Sequence, residues 1–202
     1  MGLVDDAARY PVERREQWRA WLETNHPTST GVFVVSWRSD SGRPTVPYAD
    51  LVEEALCFGW VDSRQVRLDD ERTMLWFTPR RRGSGWARPN KERIARLLAD
   101  GRMHEAGLAV IDAARADGSW ELLDSVENLE VPSDLADAFS RHPGSAALFQ
   151  AFTRSARRGI LYWIATAKTA PTRARRVEDA AARAAVGEVA NTPRPADKPV
   201  RD

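Results

Sequence analysis

Arg80-Arg81-Arg82-Gly83-Ser84-Gly85-Trp86 places three guanidinium groups, a hydroxyl and an indole in one short run. Guanidinium forks match the geometry of carboxylates and phosphates. The helix expected to follow adds free amides and the positive end of its dipole near Asn90 and Lys91. Trp86 can stack on a planar group or cover a cation. Read this way, the run is an anion site with an aromatic lid. The same residues also suit a solvated loop whose arginines pair with Glu53 and Glu54. Upstream, Trp60, Asp62 and Arg64 share one face of an alternating strand, with Val61 and Ser63 on the other. Asp62 beside an aromatic surface is a candidate general acid/base or ligand anchor, or else a brace to a loop arginine. Further on, Lys168 and Arg173 flank a helix break, where they can point into a cleft or neutralise a helix end. The candidate ligand-binding set is Trp60, Asp62, Arg80, Arg81, Ser84, Trp86, Asn90, Lys91, Lys168 and Arg173, with Asp62 the candidate catalytic group.

Other chemistries find little support. Cys57 is the one cysteine and sits on an apolar stretch, where a thiol is usually a core residue. The three histidines, His26, His104 and His142, are far apart in sequence, so no metal-ligand spacing emerges and no metal or cofactor is expected. No glycine-rich turn follows a strand at the spacing of a P-loop or a dinucleotide fingerprint. Gly83-Ser84-Gly85 lacks the frame of a nucleophile elbow. A net charge of +1 argues against a nucleic-acid partner, although the Arg80–Arg88 stretch with Trp86 keeps that alternative in view. Most of the eight tryptophans are expected in the core.

The elements that must position these groups follow from periodicity. Val12–Thr24 reads as a helix stopped by Asn25-His26-Pro27. Gly31–Trp37 is a short buried strand. Tyr48–Phe58 is a second helix with Gly59 as its stop. Trp60–Leu68 and Arg72–Thr78 form an antiparallel hairpin about Asp69-Asp70-Glu71, which sets Asp62 roughly opposite Thr78–Arg80. Helices are predicted over Pro89–Ala99, Met103–Ala116, Leu135–Ser140, Ala146–Phe152, Ser155–Ala167 and Thr172–Ala185. The fold class is α+β, a small antiparallel sheet of about three strands packed with helices and followed by a helical C-terminal subdomain. This is one domain over 1–187, with the sheet in 12–100 and the helical part in 101–187, and a disordered tail over 188–202. A length of 202 residues with 43% hydrophobic and 29% charged residues can bury such a core without disulfides. No secretory signal or membrane span is legible, so a cytoplasmic location is expected.

Several of these runs, in order, resemble one family. Ala55-Leu56-Cys57-Phe58-Gly59-Trp60-Val61-Asp62-Ser63 is similar to its signature. So are Phe77-Thr78-Pro79-Arg80-Arg81 with Ser84, Trp86, Asn90 and Lys91, the Gly101–Gly107 stretch, and Ala167-Lys168 with Thr172-Arg173. The family is the YdeI/OmpD-associated, or bacteriocin-protection, proteins, and the resemblance spans about Trp18 to Gly187. Arg82 makes the loop more basic than the family pattern, and Pro171 runs directly into Thr172 where the family often carries a glutamate. The resemblance implies a protective or stress-related role in bacteria and no particular reaction. Joined to the residues, it makes the expected function the binding of a small anionic or aromatic compound or peptide. The alternatives are an enzyme using Asp62 on an arginine-bound substrate and a nucleic-acid module.

Overall fold

The structure, a computed structural model, describes residues 7–191. They form two compact units that divide between Trp120 and Glu121. The first unit holds a four-stranded mixed sheet: β1 (Arg9–Pro11), β2 (Val32–Trp37), β3 (Trp60–Arg67) and β4 (Arg72–Pro79), in the order β1-β2-β4-β3. The β3–β4 hairpin and the β2–β4 pairing are antiparallel, as expected. The expected count of three strands omits β1, which pairs parallel to β2 with Tyr10 opposite Val34. A three-residue strand is too short to display a period of two, and its ladder partner lies 24 residues downstream, so nothing local announces it.

Strand alternation divides the sheet's apolar residues between two faces. Val32, Val34, Leu75, Phe77 and Trp60 join the main core with the helices. Phe33, Val35 and Met74 form a smaller cluster on the opposite face with Val66, Leu68 and Trp76. On the main face lie α1 (Arg15–Asn25), α2 (Tyr48–Cys57), α3 (Arg88–Ala99) and α4 (Glu105–Ala116). Helix α1 starts later than the predicted Val12 because Val12 N–H still donates to Val35 O at 2.8 Å, extending the β1 ladder. Gln17 Oε1 then accepts from the Glu13 and Arg14 amides and satisfies two donors at the helix entry. Trp18 and Leu22 are wholly buried, and Trp18 Nε1 donates to Leu51 O at 3.0 Å, tying α1 to α2. Helix α4 adds Ile111 and Ala114 to this core and lies close against the end of α2. Gly107 permits that approach: a Cβ there would sit 2.2 Å from Cys57 O.

The charges on α2 also act inward. Glu54 is 1% exposed. Its carboxylate accepts from Arg15 Nε at 2.5 Å and Arg19 Nη1 at 2.9 Å, both on α1, and from Arg102 between α3 and α4. Arg15 also reaches Asp50 and Glu53, and Glu53 faces Arg96 and Arg102. Glu53 and Glu54 therefore serve α1 and the α3–α4 turn, and the alternative in which they neutralise the Arg80–Arg82 loop is not what forms. Burial opposes ionisation of Glu53, but its bonds and proximity to Arg15 outweigh this and hold its pKa below the usual value. Arg15 is likewise opposed by burial and carried upward by Glu54 and Glu53.

The second unit is helical: α5 (Asp124–Glu127), α6 (Ser133–Arg141), α7 (Ser145–Ala151), α8 (Arg154–Ala165) and α9 (Ala170–Ala185). Helix α9 packs against α6, α7 and α8. Its inner stripe of Val177, Ala180, Ala181 and Ala184 is small enough for close approach. It begins two residues before the predicted Thr172, with Thr169 Oγ1 accepting from Thr172 N–H and Pro171 in the first turn. The short α5 escaped the helix assignment because four residues show no periodicity. Of the segment expected as a tail, Val189 and Ala190 pack into this unit's core, and residues 192–202 lie outside the described residues.

The Glu54 network generates a stability prediction. Glu54→Ala removes the buried acceptor shared by Arg15, Arg19 and Arg102, leaving Arg15 with Asp50 and Glu53, Arg19 with Glu23 and Arg102 with Glu53, and lowers unfolding free energy by about 1–3 kcal/mol, measurable by urea denaturation. A change within error would show that the network contributes nothing net. Because the folded pKa of Glu53 is depressed, its contribution is complete above its unfolded value and disappears as pH falls through the folded value. The wild-type unfolding midpoint should hold steady from neutral pH down to about 5 and then drop.

Candidate functional site

Strand β4 delivers Arg80 to the mouth of a tight turn. Arg80 N–H donates to Gly59 O at 2.9 Å, which continues the hairpin ladder one residue past the strand. Ser84 N–H and Oγ then both donate to Arg81 O, at 3.2 and 2.7 Å, closing a four-residue turn. Gly83 occupies its third position at φ 73°, a conformation that disfavours any side chain. Arg80 folds back into the turn: its guanidinium carbon lies 3.6 Å from the Trp86 ring centroid, and Nη2 donates to Gly85 O at 2.5 Å. Trp86 is 1% exposed, and its ring tilts against Trp120 with centroids 5.0 Å apart. Lys91 and Arg115 stand over Trp120 at 5.1 and 5.3 Å. Cations thus flank a pair of packed indoles at the base of the loop, adding electrostatic attraction to buried aromatic area.

Beside this stack is a cavity of ≈ 210 Å³. Arg80, Arg81, Arg82, Gly83 and Ser84 form one side, with Trp86 behind them; Val110, Ala113, Ala114, Asp117 and Ser119, from α4 and the turn after it, form the other. Arg81 and Arg82 are exposed at its edge, and Arg82 Nε stands 3.6 Å from Asp117 Oδ2 with its side chain 81% exposed. Asp117 accepts from Ser119 N–H at 3.0 Å; Ser119's bonds, and then Arg82, hold its carboxyl below the usual range. The arrangement offers exposed guanidinium groups over aliphatic walls, which suits an anion carrying an apolar body.

Of the residues singled out in the sequence, Arg80, Arg81, Ser84 and Trp86 line this cavity. Trp86 does so as a buried wall, since Arg80 occupies one approach to its ring, and it is not the aromatic lid envisaged. Trp60 is 1% exposed and meets the edge of Trp21, so it too is a core residue. Asn90 Oδ1 accepts from Arg93 Nη1 at 3.1 Å, and neither Asn90 nor Lys91 lines the cavity. Lys168 and Arg173 belong to the second unit. Lys168 is exposed between α8 and α9, and Arg173 makes a two-pronged pair with Asp134 at 2.7 and 3.0 Å. The side supplied by α4 was not legible, because its spacing is that of any amphipathic helix.

Asp62 is also placed differently from expectation. It pairs across the hairpin with Phe77, one residue short of the Thr78–Arg80 span, and the register then shifts between Asp62 and Gln65. Its Oδ2 accepts from the Tyr48 hydroxyl at 2.7 Å, so its partner is a tyrosine on α2 and not a loop arginine. The half-exposed Tyr48 phenol is pushed up to about 12, first by burial and then by the Asp62 carboxylate, with Arg93 pulling the other way. Cys57, buried at the end of α2, has its thiol pushed up by burial and by Glu54, as suits a core residue. Among the described residues there is no group of three or more metal-ligating side chains and no helix long and apolar enough to cross a membrane.

Asp62→Asn keeps an acceptor for the Tyr48 hydroxyl and removes the charge. Ultraviolet titration should show one tyrosine, identified by its loss in Tyr48→Phe, moving down from about 12. An unchanged titration would mean that Asp62 has no electrostatic hold on Tyr48.

No curated protein and no solved structure matches the chain. Two family models do. The family described as Domain of unknown function (DUF8412) matches residues 10–110, which include the sheet, the arginine turn and Val110 of the cavity wall. The family described as Bacteriocin-protection, YdeI or OmpD-Associated matches residues 128–187, within the second unit. The runs at 55–63 and 77–91 therefore fall under the first model and the Lys168–Arg173 run under the second. The chain belongs to the DUF8412 family through residues 10–110 and carries the bacteriocin-protection, YdeI or OmpD-associated domain in residues 128–187.

Proposed function

We propose that this is a cytoplasmic, stress-related protective protein that binds a small anionic compound in the cavity between the Arg80–Ser84 turn and α4. The observation that carries the reading is the joining of the exposed Arg81 and Arg82 to an apolar recess floored by Val110, Ala113 and Ala114. At ≈ 210 Å³ the recess is smaller than the several hundred Å³ of a drug-sized site, so the fitting ligand is a small organic acid. The protective half of the reading rests on the match over residues 128–187. Asp62, committed to Tyr48 and absent from the cavity lining, gives the enzyme alternative no support from geometry. The arginines rise from a compact turn beside a recess, not along an extended groove, and this favours a small anion over a nucleic acid.

Benzoate, 4-methylpentanoate and phenyl phosphate should be titrated calorimetrically against the chain and against Arg81→Ala/Arg82→Ala. Binding by at least one probe, weakened about tenfold or more in the double variant, is the expected result. In a bacteriocin-sensitive strain the wild type should raise survival and the double variant should not. Equal binding by both proteins would remove the cavity from the function, and equal survival would separate it from protection.

A further inference from the structure

The cavity's two sides carry opposite charge. Arg81 and Arg82 rise from the turn on one side. On the other, Asp117 caps the C-terminal end of α4 with its side chain 21% exposed. Oδ1 of Asp117 is engaged by Ser119 N–H, whereas Oδ2 looks toward Arg82 across 3.6 Å, longer than a charge-assisted hydrogen bond. The α4 dipole places its negative end at the same spot, so two features there favour a cation. A simple anion entering beside Arg81 and Arg82 would therefore meet a carboxylate facing it.

We infer that the cavity is built for a zwitterion, a free amino acid with a small aliphatic side chain, whose carboxylate is held by Arg81 and Arg82 and whose ammonium group is held by Asp117. The inference rests on the cavity being the binding site and deepens that reading. The side chain lies against Val110, Ala113 and Ala114, where the two alanines leave the room. The Trp86 ring is not open to stacking, since it is 1% exposed, with Arg80 over it at 3.6 Å and Trp120 packed against it. The recess thus selects aliphatic over aromatic side chains. Binding exchanges the long Arg82–Asp117 contact for two charge-assisted hydrogen bonds, so both protein charges are better satisfied with ligand than without it.

Leucine and its two single-charge relatives, 4-methylpentanoate and 3-methylbutylamine, separate the contributions. Calorimetric titration should find leucine bound about tenfold or more tightly than either relative. Asp117→Asn retains an acceptor for Ser119 N–H and removes the charge. It should weaken leucine to the level of 4-methylpentanoate while leaving 4-methylpentanoate as tight as before or tighter, which also shows the cavity intact. If 4-methylpentanoate binds wild type as well as leucine does, and Asp117→Asn affects both alike, the zwitterion inference is overturned and the anion reading stands. If no probe binds wild type, both are overturned.

Discussion

Glu54 sits at 1% exposure in the last turn of α2, where a carboxylate without partners would be prohibitively costly. It survives there because three guanidinium groups arrive from two directions: Arg15 and Arg19 from α1, and Arg102 from the turn that begins the approach to α4. The constraint works in both directions. Each arginine requires its helix at one axial position, so the charge network sets the stagger of α1 on α2 and the place where α4 begins, while the indole and aliphatic contacts supply the burial energy. Desolvation cancels much of the attraction in ion pairs of this kind, so the burial of apolar surface around them carries most of the net stability.

The placing of α4 then decides the site. Its first turn is held at the end of α2 by the His104 amide on Cys57 O and by the absence of a side chain at Gly107. Its last turn consequently stands opposite the arginine turn, with Val110, Ala113 and Asp117 turned toward Arg81 and Arg82. On the far side, Arg80 is spent on rigidity. Packed on Trp86 and bonded to Gly85 O, it holds the turn in shape so that its two neighbours project from a fixed base. A row of three similar arginines thus divides into one structural residue and two that face solvent.

The two family matches follow the division of the chain into units. The cavity belongs to the first unit, and the helical second unit carries the protective family's domain. In the second unit Arg173 is engaged with Asp134, Arg158 with Glu127, and Arg176 with Trp163 O. Its most conspicuous basic residues are thereby committed to holding helices together, and the exposed Lys168 is left on the connecting turn.

The sequence by itself determined the α+β class, the β3–β4 hairpin, most helices and the presence of an arginine-rich loop after the hairpin. These depend on patterns within a few residues: the period of two in Arg72–Thr78, the period of 3.6 in α2 and α9, and the Gly/Ser-rich composition that marks 79–88 as a loop. It also supported the YdeI/OmpD-associated resemblance of the late motif. Tertiary structure decided the rest. It made β1 a strand by pairing it with β2, turned Glu53 and Glu54 away from the loop toward α1, and gave Asp62 to Tyr48. It also buried Trp60 and Trp86 and brought Asp117 to face Arg82. Each of these is a choice among partners distant along the chain, and residue type does not distinguish one arginine from another or an exposed indole from a buried one. Only the packing of helices on the sheet, which fixes distance and burial together, makes that choice.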